Sequence, residues 1–379
     1  LMDVGVMEGD YRGHQLSVER DVAIKVLHGE LSLDDELKKR FLREAKVVSD
    51  FTHPNIVRLI DFGSESELGL LYLVMELIRG LGLDELLEHG RLRPELAMRI
   101  AYQTAGALVE AHSSGVIHRD LKAENLLLVP VSDGTLQAKV VDFGIAYPQK
   151  ASEKLTMTGR IYGTASYMAP EQAQGHDVDA RADLFSLGVL MFEMLTGQLP
   201  IKGTNSIEVM IKQIREGPPR LSAVLPPDQL PSQVFDLVDS LLAGSAGDRP
   251  SSAREVRERL EALFRRESWE PVRLDTSAEG LARFDPWLLP PIDVDPSEAV
   301  ARGDEKSEVD SQAPTPRDGA APASSNPAGE TDLGHAGSSG GGTGDGSGPT
   351  SGDGGPASPR SGASGTALEP DDETSGHSA

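Results

Sequence analysis

The spacing of the apolar residues changes near Gly82, and this change constrains the fold more than any other feature of the sequence. Before it, three short apolar runs rich in β-branched residues predict strands: RDVAIKVL (20–27), NIVRLIDFGS (55–64) and GLLYLVMEL (69–77). After it, longer segments predict helices at 93–115, 182–197, 206–216, 233–243 and 251–264. Two short strand-like runs, NLLLV and AKVVDFG, flank the turn PVSDG. The sequence therefore predicts an α+β, bilobal fold: a small β-rich N-lobe, a larger helical C-lobe and a ligand cleft between them.

The composition changes again in the last third of the chain. From Ala301 to Ala379 there is no Phe, Trp or Tyr, and the tract is rich in Gly, Ser, Pro and acidic residues. Such a segment cannot bury enough apolar surface to offset the loss of chain entropy, so we expect a disordered acidic tail. The preceding zone, 267–300, contains Trp269, Phe284 and Trp287. We expect it to be a linker, a segment that docks on the domain, or a short linear motif.

Charge and composition exclude several classes of function. The formal net charge is −24 and the isoelectric point is near 4.7, which argues against binding nucleic acid or an anionic membrane. The absence of cysteine excludes disulfides, thiolate zinc sites and cysteine nucleophiles. No apolar run approaches the roughly 20 residues that span a bilayer, and the start lacks a signal-peptide pattern. We expect a cytoplasmic protein with no membrane insertion.

The predicted helix LDDELKKRFLREAKVVSDF (33–51) carries a charge on its apolar stripe. Leu37, Phe41, Glu44 and Val48 follow one another at steps of four, three and four, which places them on one helix face. A carboxylate on an inward face needs a partner. Lys25, near the end of the first predicted strand, is the candidate.

Polar residues at the lobe edges together suggest phosphate chemistry. VAIK supplies Lys25, HRDLKAEN supplies Asp120, Lys122 and Asn125, and a DFG sequence supplies Asp142. Carboxylate and amide oxygens, few in number, suit Mg²⁺ when water and phosphate complete its shell. The lysines can neutralise phosphate oxygens, and Asp120 can accept a proton from an alcohol. Positioning and electrostatics are most of what phosphoryl transfer requires of a protein.

This ordered set resembles the signature of eukaryotic-type (Hanks-type) serine/threonine protein kinases, closest in style to PknB-like bacterial enzymes. The resemblance covers roughly Gly5 to Phe264 and implies a protein-kinase-like fold. It implies a kinase domain over 1–266, with the N-lobe at about 1–78 and the C-lobe at about 79–266.

The resemblance also implies catalytic roles. Lys25 corresponds to the strand lysine that holds the α and β phosphates of ATP, and Glu44 to the helix glutamate that pairs with it. Asp120 corresponds to the catalytic base, and Lys122 to the lysine that follows it in Ser/Thr kinases.

The implied cofactors are ATP and Mg²⁺ or Mn²⁺, with Asn125 and Asp142 as metal ligands. The hinge that meets adenine corresponds to Glu76, Leu77 and Ile78. The full set of implied nucleotide-binding residues is Gly5, Ala23, Lys25, Met75, Glu76, Ile78, Leu127 and Asp142.

The segment GTASYMAPE (163–171) resembles the substrate side of the kinase activation segment. Asp183 and Arg249 correspond to the buried structural aspartate and the late arginine of the family. The resemblance implies an ion pair between Glu171 and Arg249, and protein substrates as partners.

Arg119, directly before Asp120, marks the kinases usually controlled by phosphorylation of the activation loop. Thr156 and Thr158, in KLTMTGRIYGT, are the implied phosphorylation sites. Phosphate there could pair with Arg119 and order the loop. Self-association for trans-autophosphorylation is a further expectation.

Two positions depart from the family pattern. Ala123 stands where the family usually has proline, a residue that stiffens the turn but is not needed for the chemistry. The glycine-rich loop, G-x-G-x-x-G-x-V, aligns with residues 3–10, where Asp3, Glu8 and Asp10 replace two glycines and the valine and only Gly5 remains. Region 1–13 is thus degenerate or truncated. Three explanations are open. The start of the sequence is wrong or shifted in frame, the chain is a degraded kinase with weak or absent turnover, or it is an active enzyme with an unusual loop.

The leading hypothesis is an ATP-dependent kinase that phosphorylates Ser or Thr in proteins, in bacterial signalling. The alternative is a pseudokinase or weakly active scaffold, which the degenerate loop favours. A small-molecule phosphotransferase is a weaker alternative, because GTASYMAPE resembles a platform for peptides. A P-loop nucleotidase is disfavoured because no G-x-x-x-x-G-K-[ST] sequence occurs.

Overall fold

The predicted β-rich N-lobe is a four-stranded antiparallel sheet. The computed structural model describes residues 8–27, 35–65, 69–144, 164–269 and 288–289. The sheet has the spatial order β1-β2-β4-β3. Its strands are β1 (Glu8–Gln15), β2 (Arg20–Leu27), β3 (Leu59–Glu65) and β4 (Leu70–Glu76). All described residues belong to one unit, Leu1–Pro314.

The hairpin of β1 and β2 fixes the position of the degenerate glycine-rich region. Glu8 pairs with Leu27 and Asp10 with Lys25, so both acidic residues lie in strand β1 itself. Directly opposed residues of an antiparallel pair share a face, which puts Asp10 and Lys25 on the same side of the sheet. Asp3 and Gly5 lie outside the described residues.

The predicted N-lobe helix is confirmed as α1 (Asp35–Ser49), but its buried face differs from the predicted stripe. Asp35 and Glu36 lie in its first turn and Lys46 in its last, which suits the helix dipole. The buried residues are Phe41, Ala45 and Val48. Glu44 is only half-buried at the border of that face.

The C-lobe is helical, as predicted. Its helices are α2 (Leu83–Leu87), α3 (Pro94–Ser113), α4 (Pro170–Ala173), α5 (Arg181–Thr196), α6 (Ser206–Arg215), α7 (Leu221–Val224), α8 (Ser232–Leu241) and α9 (Ala253–Glu267). Helix α5 is buried on nearly all sides, which confirms the reading of its apolar sequence, and it ends at Gly197 in the left-handed region (φ 75°). None of the described helices is long and apolar enough to cross a membrane.

Short strands connect the cleft to the helices. Strands β5 (Leu81–Gly82), β7 (Leu126–Pro130) and β8 (Leu136–Val140) form a three-stranded sheet that carries the catalytic loop and the DFG sequence at its ends. Strand β6 (Arg91–Leu92) pairs antiparallel with β9 (Leu288–Leu289).

The zone 267–300 therefore touches the folded domain at two described places. Trp269 packs against the main hydrophobic core, and β9 pairs with β6. The predicted tail, 301–379, lies outside the described residues.

Candidate active site

The backbone of the HRD segment is held by one buried carboxylate. Asp183, at the start of α5, is fully buried and accepts hydrogen bonds from the backbone N–H groups of His118 (2.8 Å) and Arg119 (2.8 Å). Its Oδ2 also lies 2.7 Å from Nε2 of His112. Burial alone would raise the pKa of Asp183, but the hydrogen bonds and charge of His112 outweigh it and hold the pKa below its usual range. The loop is thus fixed by an ionised anchor.

Two residues of the site adopt a backbone conformation that side chains disfavour. Arg119 has φ 64° and Asp142 has φ 56°, both in the left-handed region. Such conformations cost about 1–3 kcal/mol each and persist only where the surroundings impose them. For Arg119, the bond from its N–H to Asp183 is part of that support.

The catalytic loop brings Asp120, Lys122 and Asn125 together. Asp120 is buried, with only 4% of its surface exposed, and its Oδ2 lies 3.6 Å from Nζ of Lys122. Asn125 donates its side-chain N–H to the backbone oxygen of Asp120 (2.7 Å), with the Asp120 carboxylate 3.4 Å away. Because the amide nitrogen of Asn125 is used in this way, its amide oxygen is the atom that suits a cation.

Lys25 reaches across the cleft to Asp142. Its Nζ donates to Oδ2 of Asp142 at 3.0 Å, and both side chains are mostly buried. The backbone N–H of Val141 donates to the backbone oxygen of Asn125 (2.9 Å), which connects the DFG segment to the catalytic loop. The structure therefore joins Lys25, Asp142 and Asn125 in one continuous site.

The predicted ion pair between Lys25 and Glu44 is not formed. Glu44 lies 3.7 Å from Nε of Arg40, one turn earlier in α1, and no contact among the described residues joins it to Lys25. Burial raises the pKa of Glu44, while the nearby charges of Arg40, Arg119 and Arg43 oppose that shift. The prediction was wrong for this arrangement because Asp142 engages Lys25 and a guanidinium on the same helix engages Glu44.

The residues suit a magnesium ion bridged to phosphate rather than a metal held by protein alone. No cluster of three or more His, Cys, Asp or Glu side chains in the described part of the chain could hold a metal. Asp142 and Asn125 instead offer two oxygen donors near a lysine. Mg²⁺ commonly binds one or two carboxylates and completes its shell with water and substrate phosphates.

The hinge connects β4 to β5 beside strand β2. Ala23 pairs with Met75 in the sheet, and the backbone N–H of Glu76 donates to the oxygen of Arg58 (3.0 Å). The Glu76 carboxylate receives Nζ of Lys139 at 2.7 Å. Ala23, Met75, Ile78 and Leu127 are all half-buried, as residues that line an open cleft would be.

The GTASYMAPE segment is anchored on the helical core. Arg249, with no exposed side-chain surface, makes two bonds to the Glu171 carboxylate, at 2.6 and 2.8 Å. This confirms the predicted ion pair. Gln172 donates to the backbone oxygen of Arg119 (3.1 Å), which connects the segment to the catalytic loop.

The hydrogen-bonded pair of Tyr167, which is buried, and Glu193, which is half-buried, is not among the residues predicted from the sequence. The Tyr167 hydroxyl donates to Oε2 of Glu193 at 2.5 Å. The pKa of Glu193 is raised to about 7, because burial and, more weakly, the nearby charges of Glu124 and Asp84 raise it by more than the hydrogen bond from Tyr167 lowers it. Burial and the same carboxylate also raise the pKa of Tyr167. The available signal was the one glutamate in the apolar run VLMFEML.

Gly5, Thr156 and Thr158 lie outside the described residues. Arg119, the predicted partner of phosphate on Thr156 or Thr158, is described, and its buried Nε has no hydrogen-bond partner within the described structure.

Comparison with known families gives one clear match. Residues 5–260 match the model of the protein kinase domain. This range contains every site residue named above, from Gly5 to Arg249.

Several curated bacterial proteins are similar to this chain. It is 35% identical to serine/threonine-protein kinase pkn3 of Myxococcus xanthus, over 76% of this chain and 53% of that protein. It is 42% identical to PknA of Mycobacterium tuberculosis (strain ATCC 25618 / H37Rv), over 59% of this chain and 50% of that protein. It is 34% identical to PknB of Mycobacterium leprae, over 72% of this chain and 43% of that protein. The chain thus spans about half the length of these relatives.

A solved structure has a similar fold. The crystal structure of the PknI kinase domain of M. tuberculosis matches 69% of this chain and 93% of that domain. The TM-score is 0.53 and the sequence identity is 26%.

Proposed function

This chain belongs to the protein kinase family, and from that premise we propose that it transfers the γ-phosphoryl group of ATP to serine and threonine hydroxyls of proteins. One observation carries the proposal: Lys25 and Asp142 meet at 3.0 Å, directly beside the loop that holds Asp120 and Asn125. Contacts between neighbouring segments thereby link a lysine, a candidate base and two candidate oxygen ligands. Such positioning is most of what phosphoryl transfer demands.

Asp120 is the proposed base. Its buried carboxylate is held beside Lys122 and Asn125, so its direction is fixed before a substrate arrives. From there it orients the substrate hydroxyl and accepts its proton as the hydroxyl oxygen bonds to the γ-phosphorus, while the bond from that phosphorus to the β–γ bridging oxygen breaks and ADP leaves. Lys122 neutralises charge on the transferred phosphoryl group, because its ammonium lies 3.6 Å from the carboxylate of the proposed base.

Lys25, Asn125 and Asp142 are the proposed phosphate and metal residues. Lys25 would hold the α and β phosphates, and Asn125 and Asp142 would supply oxygen ligands to Mg²⁺ or Mn²⁺. The metal, when bound, neutralises the charge that develops on the phosphate oxygens. The half-buried residues Ala23, Met75, Ile78 and Leu127, with the backbone of Glu76, form the proposed adenine site.

We further propose that phosphate on Thr156 or Thr158 is recognised by Arg119. The unpartnered Nε of Arg119 supports this, because a buried guanidinium atom without an acceptor is costly until an anion satisfies it. The Thr156→Ala/Thr158→Ala variant cannot carry phosphate at these positions. Its transfer rate should therefore equal that of the unphosphorylated natural chain. An unchanged rate in that variant would exclude this regulation.

Autophosphorylation with γ-labelled ATP tests the main proposal. The purified full chain with Mg²⁺ should incorporate label on Ser and Thr, and Asp120→Ala should not. Equal labelling of the two proteins, or none in either at micromolar concentration, would exclude catalysis by this site. Thermal unfolding with Mg·ATP then shows whether nucleotide still binds, since ligand at 100 times its Kd stabilises a protein by about 2.7 kcal/mol.

A further inference from the structure

Strand β1 brings a second carboxylate to Lys25. Asp10 lies directly opposite Lys25 in the antiparallel pair of β1 and β2. Residues paired in this way share a face of the sheet, and their Cβ atoms are about 4.5–5.5 Å apart. Lys25 faces the cleft, since its Nζ donates to Asp142 at 3.0 Å. Asp10 therefore lies on the cleft face of the sheet, next to the lysine.

The charge of Asp10 departs from the kinase pattern, which has valine at this position. On the other side of Lys25, strand β4 supplies Leu73, which is apolar and belongs to the main hydrophobic core. Asp10 itself is exposed, so the packing of the core does not explain a carboxylate here. The charge therefore acts on whatever enters the cleft.

Lys25 lies between two carboxylates that come from different lobes. Asp142 reaches it from the C-lobe at 3.0 Å, and Asp10 lies beside it on the N-lobe sheet. Together the two carboxylates outweigh the charge of the one ammonium. All eight residues of β1 pair with β2, so the backbone of Asp10 is fixed in a ladder. The negative charge at this position is thus built into the sheet.

This arrangement responds to the charge of a nucleotide. A phosphate that reaches Lys25 must replace Asp142 as the partner of that lysine and come close to Asp10. ATP without a metal brings its full phosphate charge, which both carboxylates repel. A divalent cation on the phosphates neutralises much of that charge and attracts carboxylates. The cleft therefore distinguishes two forms of one nucleotide.

Building on the proposed kinase activity, we propose that Asp10 makes the cleft selective for nucleotide that already carries its metal. The carboxylate opposes the binding of free ATP, and Mg·ATP largely escapes this repulsion because its charge is smaller. Asp10 is a specificity-determining residue in this role, and neither a metal ligand nor a base. Such selection keeps nucleotide that cannot react out of the site.

Isothermal titration calorimetry on the purified full chain tests this role with three ligands: adenosine, ATP in EDTA, and Mg·ATP. Adenosine carries no phosphate, so its affinity reports on the adenine site alone. Asp10→Asn keeps the shape of the side chain and removes its charge. Because Asp10 is exposed, this variant should fold as the natural chain does.

The matched control is Asp61→Asn, the same change at another exposed position of the same sheet. Asp61 lies opposite Val74 of β4, and Val74 lies opposite Ile24 of β2. Ile24 and its neighbour Lys25 point to opposite faces of the strand, because successive side chains alternate. Asp61 therefore lies on the face of the sheet away from the cleft.

The expected result depends on the charge of the ligand. At low ionic strength, Asp10→Asn should bind ATP in EDTA about tenfold more tightly than the natural chain, the order of effect expected when one like charge near the phosphates is removed. The gain for Mg·ATP should be less than about threefold, and adenosine should show none. Added salt should reduce the gain for free ATP, since it screens exposed charges. Asp61→Asn should bind all three ligands as the natural chain does.

Two results would overturn this selectivity while leaving the proposed function intact. One is an unchanged affinity of Asp10→Asn for ATP in EDTA, with Mg·ATP still bound by both proteins. The other is an equal gain in affinity for adenosine, which would mean that the substitution acts through shape and not through charge. Failure of the natural chain to bind Mg·ATP at all would instead overturn the nucleotide site, and with it both proposals.

Discussion

Nζ of Lys25 lies 3.0 Å from Oδ2 of Asp142, although 117 residues separate them along the chain. One residue stands on the N-lobe sheet and the other follows β8 of the C-lobe. This contact is therefore direct evidence that the two lobes share a cleft. It also brings together the cation and the anion on which the proposed nucleotide and metal site depends.

Loss of the Asp142 charge should abolish most activity. Asp142→Asn removes the carboxylate that pairs with Lys25 and that we assign to the metal, so phosphoryl transfer should fall about 10²–10³-fold. The chain offers a matched control in its second DFG sequence, where Asp61 lies on β3. Asp61→Asn should leave the rate of ATP-dependent labelling within about twofold. Equal losses in both variants would contradict the assignment.

The pairing of Glu44 predicts opposite effects for two neighbouring substitutions in α1. If Glu44 supports Lys25 during catalysis, Glu44→Gln should lower the transfer rate. Arg40→Ala should raise it by about twofold, because a pair of opposite charges four residues apart on a helix contributes about 0.2–0.5 kcal/mol and Arg40 competes for the carboxylate. Initial rates of autophosphorylation measure both, with the exposed Lys39→Ala as control. A full rate in Glu44→Gln would remove Glu44 from the catalytic set.

The buried pair of Glu171 and Arg249 should be essential for stability. Arg249→Met leaves a carboxylate without its cation and should lower the free energy of unfolding by about 3–5 kcal/mol. Arg265→Met, in an exposed pair with Glu261 on α9, should lower it by less than about 1 kcal/mol. Urea unfolding measures both. A small loss for Arg249→Met would show that the platform is held by other contacts.

Glu193 should make stability depend on pH near neutrality. Its pKa of about 7 in the folded protein lies above the ordinary 4.5, so the folded state binds this proton more tightly than the unfolded chain does. This contribution to the free energy of unfolding is full below pH 4.5 and is lost as the pH rises through 7, with an upper bound of about 3 kcal/mol.

Glu193→Gln keeps a neutral, hydrogen-bonding side chain beside Tyr167 at every pH. Relative to the natural chain, it should gain stability between pH 5 and pH 8 in urea unfolding. Glu261→Gln, at an exposed site, is the control. A constant difference in the free energy of unfolding between the natural chain and Glu193→Gln across this range would contradict the raised pKa of Glu193.

The sequence predicts those parts of the fold that local patterns determine. Helix α5 and strand β2, which carries Lys25, can each be predicted from a single segment of the sequence. An element buried on all sides is apolar throughout, whereas an element buried on one face has apolar residues at regular intervals. The Glu171–Arg249 pair followed from the family resemblance. Contacts such as Gln172 to Arg119, and β9 to β6, depend on distant segments meeting, which no local pattern records.

A local contact explains why Glu44 pairs with Arg40 and not with the predicted Lys25. Arg40 precedes Glu44 by four residues, a spacing at which opposite charges on a helix meet. The choice between this neighbour and Lys25 is made by the position of α1 relative to the sheet. That position is a tertiary property, and the sequence pattern of either element alone does not contain it.

The rate of γ-phosphoryl transfer by Asp120→Asn at saturating Mg·ATP tests the central claim most directly. The substitution keeps the size of the side chain and its place beside Asn125 but removes the proton acceptor. We predict a rate about 10²–10⁴-fold below that of the natural chain, with stabilisation by Mg·ATP unchanged. A rate equal to that of the natural chain would contradict the account.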